Sequence, residues 1–222
     1  MNTVALVSDQ LTTRAAVHAA LGEPARLALV DDLLCSDRSP KELAQRHGLP
    51  SNLLAHHLDV LEAAGLIERF VSAGDRRRKY VRLLRAALPT WGAPRLSARP
   101  VLFLCTHNSA RSQLAAALWA ARVGGTADSA GTHPAARVHR GAVAAARRVG
   151  LDLAAAQPKV VGRIAGSTQV ITVCDRAHEE LKPAAGWWHW SIPDPVELGT
   201  AAAFDAALAD LDSRITSLVD RT

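Results

Sequence analysis

The stretch Val101-Leu102-Phe103-Leu104-Cys105-Thr106-His107-Asn108-Ser109-Ala110-Arg111-Ser112 decides the reading of this chain. An apolar run of strand length leads into a cysteine, a polar loop, and an arginine and serine at the head of an amphipathic helix. A thiol between a strand end and a helix N-terminus sits among converging backbone N–H groups, a setting that binds anions and lowers a thiol pKa. Arg111, six positions on, can fold back and offer a planar fork to a tetrahedral oxyanion. The pattern predicts a cysteine nucleophile in an oxyanion-binding loop formed by Thr106, His107, Asn108, Ser109, Ala110, Arg111 and Ser112, suited to attack on phosphate or its near-isostere arsenate.

Working outward, Asn108 stands where a residue tolerant of positive φ and rich in side-chain hydrogen bonds would hold the loop's shape. The hydroxyl of Ser112 can hydrogen-bond the thiolate and favour the charged form. Asp128-Ser129-Ala130-Gly131-Thr132 follows a second apolar run. Far downstream, Asp194 lies between Pro193 and Pro195, pre-organised as a general acid needs to be. Strand-like runs at 101–104, 126–129 and 170–173 alternate with helices beginning near Ser109, near Val138 and after Asp175. That alternation predicts an α/β domain with a central parallel sheet and its site at the carboxyl edge.

Residues 86–99 hold prolines and a glycine without sustained periodicity and read as a linker, with Trp91 expected to dock on a domain. Before it, helices are expected over 13–21 and 23–35. Ser39-Pro40-Lys41-Glu42 is a helix start with Ser39 as N-cap, and that helix ends near His47-Gly48. Ser51 is expected to cap a longer helix through Ala64, stopped by Gly65. Strand-like runs at 66–71 and 79–83 flank a basic turn. This order predicts a winged helix, mostly α with a β-hairpin wing, over residues 1–85, and the α/β domain over 100–222. Ser51, Asn52, Ala55 and His56 would approach the major groove of double-stranded DNA, with Arg76, Arg77, Arg78 and Lys79 on phosphate or the minor groove. The alternative for the arginine cluster is a solvated hairpin tip. His57, beside Leu58 and Leu61, is expected to face the core.

The chain has 222 residues, a formal net charge of +5 and three cysteines. The charge suggests an anionic partner, and few, widely spaced cysteines suggest free thiols in a reducing, cytoplasmic setting rather than a disulfide framework. No apolar run reaches membrane-spanning length, and no signal pattern opens the chain. No Walker loop, dinucleotide fingerprint or metal-ligand spacing is visible.

The run Leu58-Asp59-Val60-Leu61-Glu62-Ala63-Ala64-Gly65-Leu66-Ile67 resembles the end of the recognition helix and the first wing strand of ArsR-type repressors. The resemblance covers roughly residues 13–85 and implies a homodimer on a two-fold operator. Such sensors often bind arsenite through a cysteine cluster. Here Cys35 stands alone, either as a core residue or as part of a sensor site completed elsewhere.

Residues 100–222 resemble the low-molecular-weight tyrosine phosphatases and, within that fold, the thiol-dependent arsenate reductases, through Cys105–Gln113, Ser129–Thr132 and the Asp194-Pro195 pair. The resemblance implies that Cys105 attacks arsenate held by the loop amides and Arg111, that Asp194 protonates the departing oxygen, and that a thiol then releases arsenite. That thiol is Cys174, where the reductases keep a second redox cysteine, or an external one: a low-molecular-weight thiol with its redoxin, or thioredoxin. Cys174 as a strand-end core cysteine is the other reading. A third relay cysteine is absent from 175–181, and Val196 replaces the aromatic that phosphatases commonly carry after the Asp-Pro pair. No bound cofactor is expected. His107 and His133 would lie near the anion, and His139 on the surface. Trp187, Trp188 and Trp190 would fill core, meet another domain or wall the pocket. The whole chain thus reads as a repressor fused to an arsenate reductase. The alternatives are a regulator whose second domain senses an oxyanion, metalloid or redox state with little turnover, and a tyrosine phosphatase-like enzyme.

Overall fold

A computed structural model describes residues 3–88 and 99–219, with side chains over 11–88 and 99–218. Most of the expected linker, Trp91 included, lies outside the described residues. The chain divides into two compact units, Met1–Val71 with Arg77–Pro94, and Ser72–Arg76 with Arg95–Thr222.

The first unit runs α1 (Thr3–Leu21), α2 (Pro24–Cys35), α3 (Pro40–His47), α4 (Ser51–Ala63), β1 (Ile67–Val71) and β2 (Lys79–Leu83), then a 3₁₀ turn at Arg85–Ala87. Ser39 starts α3 by a reciprocal capping box. Its hydroxyl accepts from the Glu42 N–H, while the Glu42 carboxylate accepts from the Ser39 N–H at 2.7 Å. Gly48 ends the helix at φ 62°, a left-handed turn that favours a residue without Cβ. Two expectations need correction. α1 begins ten residues earlier than its apolar spacing suggested. Ser51 is not a cap but the first residue of α4, whose N-cap is Pro50 and which has no side-chain cap. Proline supplies the extended entry there, so the hydroxyl is not needed.

The apolar faces of these helices meet around Leu29, Leu33, Leu43, Leu54, Leu58 and Leu61. His57 is buried on that side of α4, as its spacing predicted. β1 and β2 pair antiparallel from Ile67–Leu83 to Val71–Lys79.

The second unit is α/β. Its elements are β3 (Val101–Cys105), α5 (Arg111–Val123), β4 (Ala127–Gly131), α6 (Arg140–Arg148), β5 (Gln169–Thr172), α7 (Asp175–Leu181), β6 (Trp188–His189), α8 (Pro195–Leu198) and α9 (Ala201–Val219). The strands form one parallel sheet in the order β4-β3-β5-β6. β6 escaped the sequence reading because two residues are too few to show a period.

β3 is central, and its apolar run reflects burial on both faces. On one side Phe103 meets the rings of Trp119 and Trp190, each at 5.9 Å between centroids. On the other, Leu102 and Leu104 pack with Ala130, Val170 and Trp187. Trp190 is thus a buried core residue, and Trp187, partly buried, packs against the core. The chain leaves β3 toward β4 and returns on its other side as β5, so the carboxyl end of β3 is a topological switch point, where α/β sheets place ligands. Cys105 is that end. Among the described residues no helix is long and apolar enough to cross a membrane.

Candidate active site

The loop between β3 and α5 is held open from behind. The carbonyls of Thr106, His107 and Ser109 accept from the N–H groups of His133, Ala135 and His139 at 2.7–2.9 Å. With those carbonyls turned outward, the Asn108 N–H is directed inward and donates to the Cys105 Sγ at 3.1 Å.

Asn108 is the internal brace, at φ +48°. Its Nδ2 donates to Ser112 Oγ at 2.8 Å and Ser129 Oγ at 2.9 Å, while its Oδ1 accepts from Gln113 Nε2 and the Lys159 N–H. Gly131 is explained by the same packing. A Cβ there would come within 2.7 Å of the Thr106 carbonyl oxygen and 3.0 Å of Asn108.

Ser112 Oγ lies 3.0 Å from Cys105 Sγ. Because Asn108 donates to this hydroxyl, the Ser112 proton is available to the sulfur, favouring the thiolate. Arg111, also buried, extends Nη1 to the Ile192 carbonyl at 3.0 Å and Nη2 to Asp194 Oδ2 at 2.6 Å. Asp194 in turn caps α8 through Oδ1 and the Val196 N–H at 3.0 Å. Both Asp194 oxygens are therefore held in place, each as a hydrogen-bond acceptor.

One expectation about Cys105 is reversed. Cys105 is only 2% exposed, and burial pushes its pKa up. Arg111 and Ser112 pull it down, while neighbouring Cys174 adds to the rise. The converging amides favour the thiolate, and the depth of the strand end opposes it.

Cys174 follows β5 and is the N-cap of α7, its sulfur accepting from the Ala177 N–H. The Thr106 hydroxyl stands 3.1 Å from this sulfur. One cavity is lined by Thr106, His107, Arg111, Cys174, Asp194 and Glu197. The structure thus gathers the predicted catalytic set at one switch point, although α5 begins at Arg111 rather than Ser109. His107 is exposed at the rim, while His133 turns away to Glu180 at 2.8 Å. His139 corrects the surface expectation: it caps α6 by accepting from the Gly141 N–H and stacks on Phe204 at 5.0 Å. In the other unit, Ser51, Asn52, Ala55 and His56 are exposed along α4. Arg76, Arg77, Arg78 and Lys79 are exposed at the end of the β1–β2 turn.

A buried polar chain under the site was not anticipated. Thr172 Oγ1 lies 2.8 Å from His178 Nδ1 and 2.9 Å from His189 Nδ1, the two imidazoles stack at 4.0 Å, and His189 Nε2 meets Asp175 Oδ1 at 3.0 Å. Burial raises the Asp175 pKa, but the hydrogen bond and charge of His189 outweigh it and bring it to about 2, below the ordinary 3.8. A carboxylate depressed on folding stabilises the native state above its unfolded pKa, and that contribution fades as pH falls through the folded value. Between pH 5 and pH 2 the wild type is expected to lose about 2 kcal/mol more than Asp175→Asn, read from urea midpoints. Equal losses would remove Asp175 from the acid response.

A cysteine is thus seated at the switch point of a parallel sheet, with an arginine and an aspartate facing one cavity beside it. Residues 100–222 match the family described as low molecular weight phosphotyrosine protein phosphatase, and the chain belongs to that family. No curated protein matches it.

Similar solved structures include an arsenate reductase from Archaeoglobus fulgidus, 28% identical, covering 55% of this chain and 99% of that one, with a TM-score of 0.45. A thioredoxin-dependent arsenate reductase from Corynebacterium glutamicum is 26% identical, with coverages of 54% and 59% and a TM-score of 0.43. The tyrosine phosphatase AmsI of Erwinia amylovora is 19% identical, with coverages of 60% and 97% and a TM-score of 0.47.

Proposed function

We propose that the protein is a thiol-dependent arsenate reductase, residues 100–222, joined to a winged-helix DNA-binding repressor domain, residues 1–85, acting as a homodimer in the cytoplasm. The observation that carries the enzymatic reading is the second sulfur. Cys174 and Arg111 line the same cavity, and Cys174 Sγ lies 3.1 Å from the hydroxyl of Thr106, the residue beside the nucleophile.

The chemistry follows from these positions. Arg111 and the loop amides bind arsenate, the Cys105 thiolate forms an S–As bond, and Asp194 gives a proton to the oxygen that leaves as water. A second thiolate then attacks Cys105 Sγ. The S–As bond breaks with its electron pair passing to arsenic, As(V) becomes As(III), and arsenite leaves. Cys105 remains in a disulfide with Cys174 or with an external thiol, which another thiol reduces.

A tyrosine phosphatase-like enzyme is the second reading, favoured by the family itself. Arsenate and p-nitrophenyl phosphate turnover, measured with small thiols and with thioredoxin, separates them. Arsenite formation supports the reductase, and phosphate release without arsenite from any donor refutes it.

For the other domain, support comes from the α3–turn–α4 pair followed by the β1–β2 hairpin, with the four named α4 positions exposed together. Replacing Arg76, Arg77 and Arg78 by Ala is expected to weaken operator binding. Each lost phosphate contact would flatten the log–log salt slope by about 0.9. Unchanged affinity and slope would take the hairpin out of the DNA interface.

A further inference from the structure

The cavity that Arg111, Cys174 and Asp194 share has one lining residue from outside the stretch that matches the family, Ala73. Ala73 sits on the segment Ser72–Arg76, which belongs to the second unit. Two carboxylates of α7 hold that segment. Glu179 Oε1 accepts from Ser72 Oγ, and Glu179 Oε2 from the Asp75 N–H, each at 2.7 Å. Asp175 Oδ2 accepts from the Ala73 N–H, also at 2.7 Å, while the Gly74 N–H turns back to Ser72 Oγ at 2.9 Å. Each backbone N–H from 73 to 75 thus has a partner, and hydrogen bonds to ionised acceptors are the strong kind. Gly74 is pressed against the same helix: a Cβ there would lie 2.5 Å from Glu179 Oε2 and 3.0 Å from the Arg176 backbone nitrogen. A turn clasped at both ends and packed this closely forms a fixed wall.

That wall stands at the mouth of the cavity. Ala73 is exposed, as are His107 and Glu197 on the same lining. The cavity holds about 320 Å³ with its open mouth included, near the low end of the ~300–1,000 Å³ common for ligand pockets. A free tetrahedral oxyanion fits inside whole. A phosphoester must also carry its organic group out past the rim.

We propose that the turn Ser72–Arg76 is a specificity-determining wall that admits free oxyanions and excludes aryl phosphoesters. The proposal rests on the reductase reading and deepens it, naming the substrate class as an unesterified inorganic oxyanion. Selectivity of this kind comes from a clash with the wrong ligand rather than a new contact to the right one. Ala73 acts by occupying space, and Glu179 and Gly74 act by holding the turn in place.

The test reads binding without turnover. Inorganic phosphate and phenylphosphonate, whose C–P bond the site cannot hydrolyse, are titrated against the full chain by NMR at a pH where both are dianions. Forcing a ring against a packed wall is expected to give the wild type at least about a tenfold preference for phosphate. Glu179→Ala removes the clasp, and Gly74→Val wedges the turn off α7. Each should bring phenylphosphonate to within about threefold of phosphate, with phosphate affinity itself held. Ser72→Ala, which removes a single hydroxyl, should fall between, and it carries the test where the other two variants do not fold. Equal binding of both probes by the wild type overturns the proposal, as does a preference that all folded variants keep. A parallel loss of both probes also overturns it, because the turn would then hold the oxyanion or α7 rather than exclude esters. A chain that shows the preference yet reduces no arsenate with any thiol would sink the reductase reading while leaving the wall standing. Arsenate reduction without the preference would do the reverse.

Discussion

Cys105→Ser should lower arsenate reduction by at least about 10⁴-fold, the usual cost of deleting a nucleophile that works in concert with its neighbours. The substitution is conservative in shape: a serine hydroxyl at this position keeps partners in the Asn108 N–H and Ser112 Oγ. Its thermal midpoint should therefore stay close to that of the wild type. The loss comes from electron bookkeeping at arsenic. An O–As bond can be hydrolysed, but attack by a thiol cannot release arsenic from it with an extra electron pair, so As(V) stays As(V). The result is read as arsenite formed per protein in the presence of each thiol donor. Retention of more than about 1% of wild-type reduction, against that 10⁴-fold expectation, would show that another atom carries the arsenic.

Arg111→Lys should cost about 10²–10³-fold in kcat/KM, comparable to removing one pre-organised oxyanion donor. Arg111 spans two anchors at once, the Ile192 carbonyl and the Asp194 carboxylate, and lines the cavity together with Arg176. An ammonium is a point donor on a flexible stem and cannot hold both anchors in one plane. The same substitution should loosen the acid loop, because Asp194 Oδ2 loses its 2.6 Å partner. A KM effect without a kcat effect would mean that Arg111 only gathers substrate. An equal drop in kcat and kcat/KM, not rescued at high arsenate, is the expected pattern. Activity within fivefold of wild type would show that the planar fork is unnecessary.

The parts of the site that could be read in advance are those in which one residue type answers one local demand. Asn108 was legible because a loop turning from strand to helix needs positive φ and several hydrogen bonds, and few residues supply both. Ser39, Pro40 and Glu42 were legible because a capping box is a three-residue geometric statement. Ser51 misled because Pro50 already supplies the extended N-cap backbone, in a helix that has no side-chain cap. The chain of Thr172, His178, His189 and Asp175 was not legible, since it joins side chains from β5, α7 and β6 whose directions depend on a parallel pairing that the two-residue β6 does not announce. The depth of Cys105 was likewise hidden: sequence places it at a strand end, but only the rings and helices packed around β3 determine how far water is excluded from it.

That depth has a practical consequence for anyone counting reactive thiols. Cys105 and Cys174 are buried, and burial drives Cys35, half-buried among Arg85, Asp32 and Arg38, to about 11. Bulky alkylating dyes should find a protein that looks almost inert in its folded state, while small oxidants slip past the rim. Labelling by bulky dyes and sensitivity to small peroxides are therefore expected to rank Cys35, Cys105 and Cys174 in different orders.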